Sequence, residues 1–203
     1  MSNQFIQLIK ERRSVRSFDD KPLEKEVLEE IIQAGKYAPS AMNKQPWKFI
    51  VITDKKVIND LSKKVQKELQ SILKKRFISQ FKFKELKNEE LLHHLAAFAF
   101  SEKDIIFFDA PALVFILTTD SLFFNESCAC CAENMMLAAH SLGIGSCWIG
   151  FASVLGMNKN IMNSVGIPED YHIAAAIVFG HPKGNIGRAS IRKVESDVIN
   201  WIK

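Results

Sequence analysis

Apolar positions in this chain recur at helical spacing in some stretches and run on without interruption in others, which predicts alternating element types. Phe5, Ile6, Leu8 and Ile9 form the buried stripe of a first helix from about Asn3 to Arg12. Val27, Leu28, Ile31 and Ile32 share one face of a second helix. It runs from Glu24 to near Tyr37, before Pro39, with acidic residues in its first turn, where the macrodipole favours them. Val57, Leu61, Val65, Leu69, Ile72 and Leu73 keep the same spacing through a lysine-rich stretch, so an amphipathic helix with a solvated lysine face is expected there. A more irregular helical region follows, up to about Phe107. A long helix spans Glu126 to Leu142 and stops at Gly143, and a short one over Val194 to Trp201 ends the chain.

Between these lie four runs that read as strands: Trp47 to Thr53, Ala112 to Thr119, Ser146 to Ile149 and Ile173 to Phe179. The second is nearly all apolar, as a central strand covered on both faces must be. Helices and buried strands alternate too irregularly for a doubly wound sheet, so the class is α+β. A chain of 203 residues is long enough for one well-buried domain and short for two. With no repeat, low-complexity tract or linker in view, residues 1–203 read as one domain.

Composition narrows the function. Hydrophobic content of 47% and charged content of 25% are ordinary globular values and exclude global disorder. The net charge of +4 comes largely from the lysine-rich helix, which lacks interleaved aromatics, so no nucleic acid is expected. Met1-Ser-Asn-Gln carries no basic leader before an apolar core, and the run Ala110 to Leu117 is too short to span a bilayer. A cytoplasmic protein without a membrane partner is the expectation. Cys128, Cys130, Cys131 and Cys147 lack paired Cys-x-x-Cys spacing and read as small buried apolar residues. His93, His94, His140, His172 and His181 are scattered, so no metal site is expected.

The chemistry concentrates in a few segments. Glu11 to Phe18 reads Glu-Arg-Arg-Ser-Val-Arg-Ser-Phe; if extended, it turns Arg12, Ser14 and Arg16 to one side and Arg13 with Val15 to the other. Guanidinium forks and a hydroxyl on one face suit a phosphate or another oxygen-rich anion, while a solvated basic loop is the plain alternative. Ser40, Asn43 and Gln45, in a loop stiffened by Pro39 and Pro46, could read the edge of a planar heterocycle or satisfy their own backbone. Gly143-Ile-Gly-Ser-Cys-Trp-Ile-Gly150 fails the dinucleotide pattern because Trp148 stands at the third glycine position. Its glycines let backbone approach something flat, or form a tight turn. Lys183, Arg188 and Arg192 make a second basic group near the C-terminus.

In order, Arg-Arg-Ser-Val-Arg-Ser-Phe, Ala-Pro-Ser-Ala-Met-Asn-Lys-Gln-Pro-Trp, Ala-Glu-Asn-Met-Met-Leu-Ala-Ala (Ala132 to Ala139), Gly-Ile-Gly-Ser-Cys-Trp-Ile-Gly and the basic C-terminal loop resemble the successive signatures of the FMN-dependent nitroreductase family. The resemblance implies an α+β homodimer, a mixed or antiparallel central sheet flanked by helices, and two FMN sites at the subunit interface. It implies that Arg12, Arg13, Ser14 and Arg16 bind the phosphate and the pyrimidine end of the flavin. Ser40, Ala41, Asn43 and Gln45 would reach the flavin in part from the partner subunit. Trp148, Ile149 and Gly150 would lie against the ring, with Arg192 and Arg188 completing the phosphate site. It further implies hydride transfer from NADH or NADPH to a nitroaromatic, quinone or similar acceptor, by a ping-pong scheme without a catalytic protein residue, because the cofactor carries the chemistry. The same fold also hosts dehalogenation, azoline oxidation and flavin fragmentation, and flavin storage or sensing without turnover is a further alternative. Residues 55–108 carry few motif residues, so the resemblance does not identify the acceptor.

Overall fold

The computed structural model describes residues 3–78, 89–184, 192 and 199–202. The expected helices form with ends shifted by a few residues: α1 at Gln4–Glu11, α2 at Lys25–Gly35, α3 at Lys55–Ile78, α4 at Glu89–Ala99 and α5 at Phe124–Ser141, which begins two residues before the expected Glu126. A short α6 at Lys159–Ser164, capped by the Asn158 side chain, was not foreseen. The terminal helix expected from Val194 falls largely outside the described residues. Asn3 caps α1 by accepting from the Phe5 N–H at 2.8 Å. Gly143 ends α5 at φ +72°, and the Ile144 N–H reaches back to the Ala139 carbonyl at 2.8 Å.

Four strands, β1 (Lys48–Ile52), β2 (Ala112–Thr118), β3 (Gly145–Trp148) and β4 (His172–Gly180), form one antiparallel sheet in the order β1-β2-β4-β3. All seven residues of β2 are buried, as its apolar run requires. Phe115 on β2 faces Ile50 on one side and Ala176 on the other. One sheet face packs Leu113, Phe115 and Val178 against Ile58, Leu61, Val65 and Leu69 of α3. The opposite face packs Val114, Ile116 and Ile177 against Leu28 and Ile31 of α2 and Cys131, Met135 and Ala139 of α5. Two helical layers thus enclose the sheet, which is why β2 shows no polar alternation.

Two expectations are corrected. The α1 stripe is not buried within the chain: Phe5, Ile6 and Ile9 are 61%, 48% and 44% exposed. Nor are all four cysteines interior, because Cys130 lies on the outer face of α5. Helical spacing identifies a common face but not what covers it.

The arginine segment is held at the β3 edge of the sheet. The Val15 N–H donates to the Ser146 carbonyl at 2.9 Å, and Ser14 bridges Ser146 in parallel. Further on, the Asp19 N–H donates to the His181 carbonyl at 2.9 Å and the Lys183 N–H to the Ser17 carbonyl at 3.0 Å. Glycine permits this approach, since a Cβ at Gly145 would stand 2.9 Å from Val15 Cβ. Phe115 is fully buried at the sheet centre, so Phe115→Ala should cost about 3–5 kcal/mol. Urea unfolding would measure it, and a loss under about 1 kcal/mol would contradict this account of the core.

Candidate functional site

Alternation along the docked segment sorts its side chains as the sequence predicts. Arg12, Ser14 and Arg16 all act on Cys147 of β3, while Arg13 and Val15 line a separate small cavity. Burial pushes the Cys147 thiol above its ordinary value; the Arg16 charge, a hydrogen bond from Ser14 and the Arg12 charge pull the other way without prevailing. The thiol is therefore protonated near neutral pH and is a poor nucleophile. The segment itself contains no carboxylate between Arg12 and Arg16, but α5 supplies one: Glu133 Oε1 lies 3.4 Å from Arg12 Nε. That pair engages one edge of the guanidinium.

Two cavities meet at Arg16. The first, about 330 Å³, is walled by Phe98, Ile105, Ile106, Phe108 and Phe151 and by residues Cys147 to Gly150. Phe98 and Phe151 pack at 4.6 Å between centroids, tilted by 53°. Gly150 presents bare backbone, since a Cβ there would meet nothing within 4 Å. An apolar hollow with one cationic edge suits a flat, electron-poor ring system. The second cavity, about 410 Å³, is polar and adds Asp20, Lys55, Asn59, Asp109 and Lys183 around Arg16. Lys55 and Asp20 form an ion pair there that lowers the Asp20 pKa. Burial, then the neighbouring Asp104, raises that of Asp109.

One carboxylate organises the wall between the cavities. Asp104 accepts from the Ser62 hydroxyl at 2.6 Å, from the N–H groups of Ile106 and Phe107 at 3.0 and 2.9 Å, and from the Asp109 N–H at 3.1 Å. It holds Phe108 and Asp109 in consecutive left-handed conformations, φ +59° and +52°, a costly arrangement for non-glycine residues. None of these residues belongs to a motif singled out in the sequence. Asp104 was detectable only as an ordinary turn cap, and the partners that bring Phe98, Ile105 and Phe108 to Trp148 are remote in the chain.

The Ser40 loop lies elsewhere. It precedes β1, at the opposite edge of the sheet from β3, three strand spacings or ~14 Å away. Met42, Asn43 and Gln45 all have positive φ, at 49°, 53° and 48°. Ser40 Oγ accepts from the Gln45 N–H at 3.0 Å, the Gln45 amide donates to Asn43 Oδ1 at 3.2 Å, and the Ala41 N–H donates to Ser127 Oγ at 3.3 Å. Within one chain the loop's polar groups therefore satisfy one another. The hollow beside Asn43 and Gln45 includes none of Arg12 to Arg16 and none of Trp148 to Gly150. Arg188 lies outside the described residues, and Arg192 is exposed. Among the described residues no group of three or more His, Cys, Asp and Glu side chains could hold a metal ion, and no helix is long and apolar enough to cross a membrane.

Comparison with known proteins places this geometry in context. The profile of the Nitroreductase family matches residues 9–181. A relative from Archaeoglobus fulgidus, whose name covers NADH dehydrogenase and NAD(P)H nitroreductase, is 27% identical over 184 residues, 88% of this chain and 85% of that one. A nitrobenzene nitroreductase of Ectopseudomonas oleovorans is 26% identical, covering 93% of this chain and 92% of its own. Among solved structures, a nitroreductase with bound FMN from Bacteroides fragilis superimposes with a TM-score of 0.77 at 27% identity, covering 100% of both chains.

The Asp104 network yields a direct test. Asp104→Ala leaves three backbone N–H groups and one hydroxyl without their acceptor and should lower stability by about 1–3 kcal/mol. Thermal or urea unfolding reads the change, and an unaltered midpoint would show that the strained wall is held by something else.

Proposed function

The chain belongs to the nitroreductase family, and from that membership we propose that it is an FMN-dependent oxidoreductase taking hydride from NADH or NADPH and passing it to a nitroaromatic, quinone or similar acceptor. The observation that carries the reading is the cavity of about 330 Å³ in which a cationic side chain, Arg16, meets apolar walls and residues Trp148 to Gly150. Those residues fit FMN by shape and charge: a flat ring for the apolar hollow, and an anionic tail for Arg12, Ser14 and Arg16 on the flanking strand. Arg192 and Arg188 would complete the phosphate site. The relatives' names, which include NAD(P)H and nitrobenzene nitroreductases, support the donor and acceptor classes.

Bound FMN would supply reversible hydride chemistry. The protein's part is to bind, orient and bias it. Arg16 puts a positive charge where the apolar and polar cavities meet, favouring negative charge on a ring seated there. Trp148 to Gly150 would line the ring's edge, and Phe98, Ile105, Phe108 and Phe151 would exclude water. Cys147, a protonated buried thiol, packs the floor and takes no chemical part. Donor and acceptor would occupy the same cavity in succession.

The working unit would be a homodimer. Ser40, Ala41, Asn43 and Gln45 stand at the far edge of the sheet from Arg12 to Arg16, so a second copy is the way to bring the two sets to one cofactor. The exposed face of α1 gives that copy apolar surface to cover. Sedimentation of the FMN-loaded protein at micromolar concentration should give twice the 23.0 kDa chain mass, whereas a 23.0 kDa species with FMN bound would rule the dimer out.

Anaerobic NADH or NADPH should bleach the yellow holoprotein, and varying both substrates should give parallel double-reciprocal lines. Stable colour in the presence of donor would favour flavin storage without turnover; intersecting lines would require a second binding site. Arg12→Ala should weaken FMN binding by about 1.5–3 kcal/mol, the worth of a hydrogen bond to a charged group. Cys147→Ala should keep most activity, and an inactive variant with FMN still bound would restore the thiol to the mechanism.

A further inference from the structure

The buried stripe of α3 has a polar stripe beside it. Leu61, Val65 and Leu69 belong to the core, and one position on from each stands a polar residue: Ser62, Gln66 and Gln70. Spacing of four residues keeps these three on one line of the helix. Ser62 is buried and both glutamines are half-buried. Polar side chains in such places are costly unless they are bonded. All three are bonded, and to one stretch of chain. The Gln70 amide donates to the Ala99 carbonyl at 2.7 Å, and the Gln66 amide to the carbonyls of Ser101 at 3.0 Å and Phe98 at 3.4 Å. The Ser62 hydroxyl donates to Asp104.

These bonds secure the end of α4. The last carbonyls of a helix have no N–H of a following turn to bond. Here the amides of a neighbouring helix supply donors to Phe98 and Ala99 in the last turn and to Ser101 just beyond it. What is fixed in this way is one wall of the cofactor hollow. The Phe98 ring packs on Phe151 at 4.6 Å between centroids, and Ile105, Ile106 and Phe108 follow within the same short stretch. The hollow therefore has two halves of different origin. Arg16 and residues 147–151 come from the arginine segment, β3 and the turn after it, and the rest comes from residues 98–108, held by α3.

We propose that Gln66 and Gln70 are positioning residues that determine acceptor specificity: by fixing the end of α4 they seat Phe98 as the wall against which an uncharged aromatic acceptor packs. The inference rests on the reading of the hollow as the site of cofactor and acceptor. Among the described residues, the half held by α3 gives the hollow apolar side chains and no charged one. An aromatic ring gains there by burial and by offset or edge contact with Phe98. A charged group would lose hydration on that side without gaining a partner. Because the glutamine bonds end on residues 98–101, loosening them displaces Phe98 and leaves the arginine segment docked on β3.

The test compares the wild type with Gln70→Glu and Gln66→Glu, which keep the shape of the side chain but put an acceptor where an N–H donated. The FMN-loaded proteins are driven by whichever nicotinamide cofactor bleaches them. KM for nitrobenzene should rise about fivefold in Gln70→Glu, the factor that one net hydrogen bond is worth, and less in Gln66→Glu. The rate with ferricyanide, an outer-sphere electron acceptor that needs no seat against the wall, should keep its wild-type value, as should the flavin content. Gln70→Lys restores a donor and should recover much of the nitrobenzene KM. An unchanged KM in the folded variants, or parallel losses with both acceptors, would overturn the inference; should Gln70→Glu fail to fold, Gln66→Glu decides. Amide deuterium exchange gives a readout without turnover: it should quicken over residues 98–106 in Gln70→Glu and stay unchanged in β3, and unchanged exchange at residues 98–106 would overturn the positioning role. If neither NADH nor NADPH bleaches the flavin, the proposed function fails and acceptor specificity with it, while the exchange result still upholds or refutes the hold on α4.

Discussion

The close approach of the arginine segment to β3 is the constraint on which the rest of the site depends. A segment bearing three guanidinium groups has little reason to lie along a sheet edge unless backbone hydrogen bonds hold it there. The Val15 N–H and the Ser146 carbonyl supply one, and Gly145 supplies the space, since any side chain there would strike Val15. Once the backbone is fixed as extended chain, alternation does the sorting. Three polar side chains turn toward Cys147, and the fourth turns behind.

That sorting makes one short stretch serve two environments. On the Cys147 side Arg16 stands at the rim of an apolar hollow, where a lower effective dielectric strengthens the attraction of its charge for an anion. Glu133 restrains Arg12 without leaving the group charge-neutral in every direction, because it engages only Nε. On the other side Arg13 adjoins a small cavity whose lining, among the described residues, includes no carboxylate.

The hollow needs a rigid wall opposite β3, and the wall is built by satisfying backbone rather than by packing alone. Asp104 draws four donors onto one carboxylate and so keeps Phe108 and Asp109 in conformations they would otherwise avoid. The Ser40 loop stores similar strain at Met42, Asn43 and Gln45. The two strained segments line separate cavities, Phe108 that beside Trp148 and Asn43 with Gln45 the hollow beside Tyr37.

Local patterning was enough for the elements. The apolar run from Ala112 foretold a central, doubly covered strand; the spacing from Val57 to Leu73 foretold a helix with a wet lysine face; Gly143 marked the end of α5. The order of the motifs was likewise enough for the family, and alternation from Arg12 to Arg16 anticipated which side chains travel together. None of this could say where the segments meet. Glu133 reaches Arg12, and Phe98, Ile105 and Phe108 reach Trp148, through contacts between residues far apart in sequence. Periodicity likewise described the α1 stripe correctly as one face, yet could not say that this chain leaves it uncovered. A sequence determines which face a side chain shares with its neighbours, because that follows from helix and strand geometry alone. What that face meets depends on how distant segments pack, and only the tertiary structure decides it.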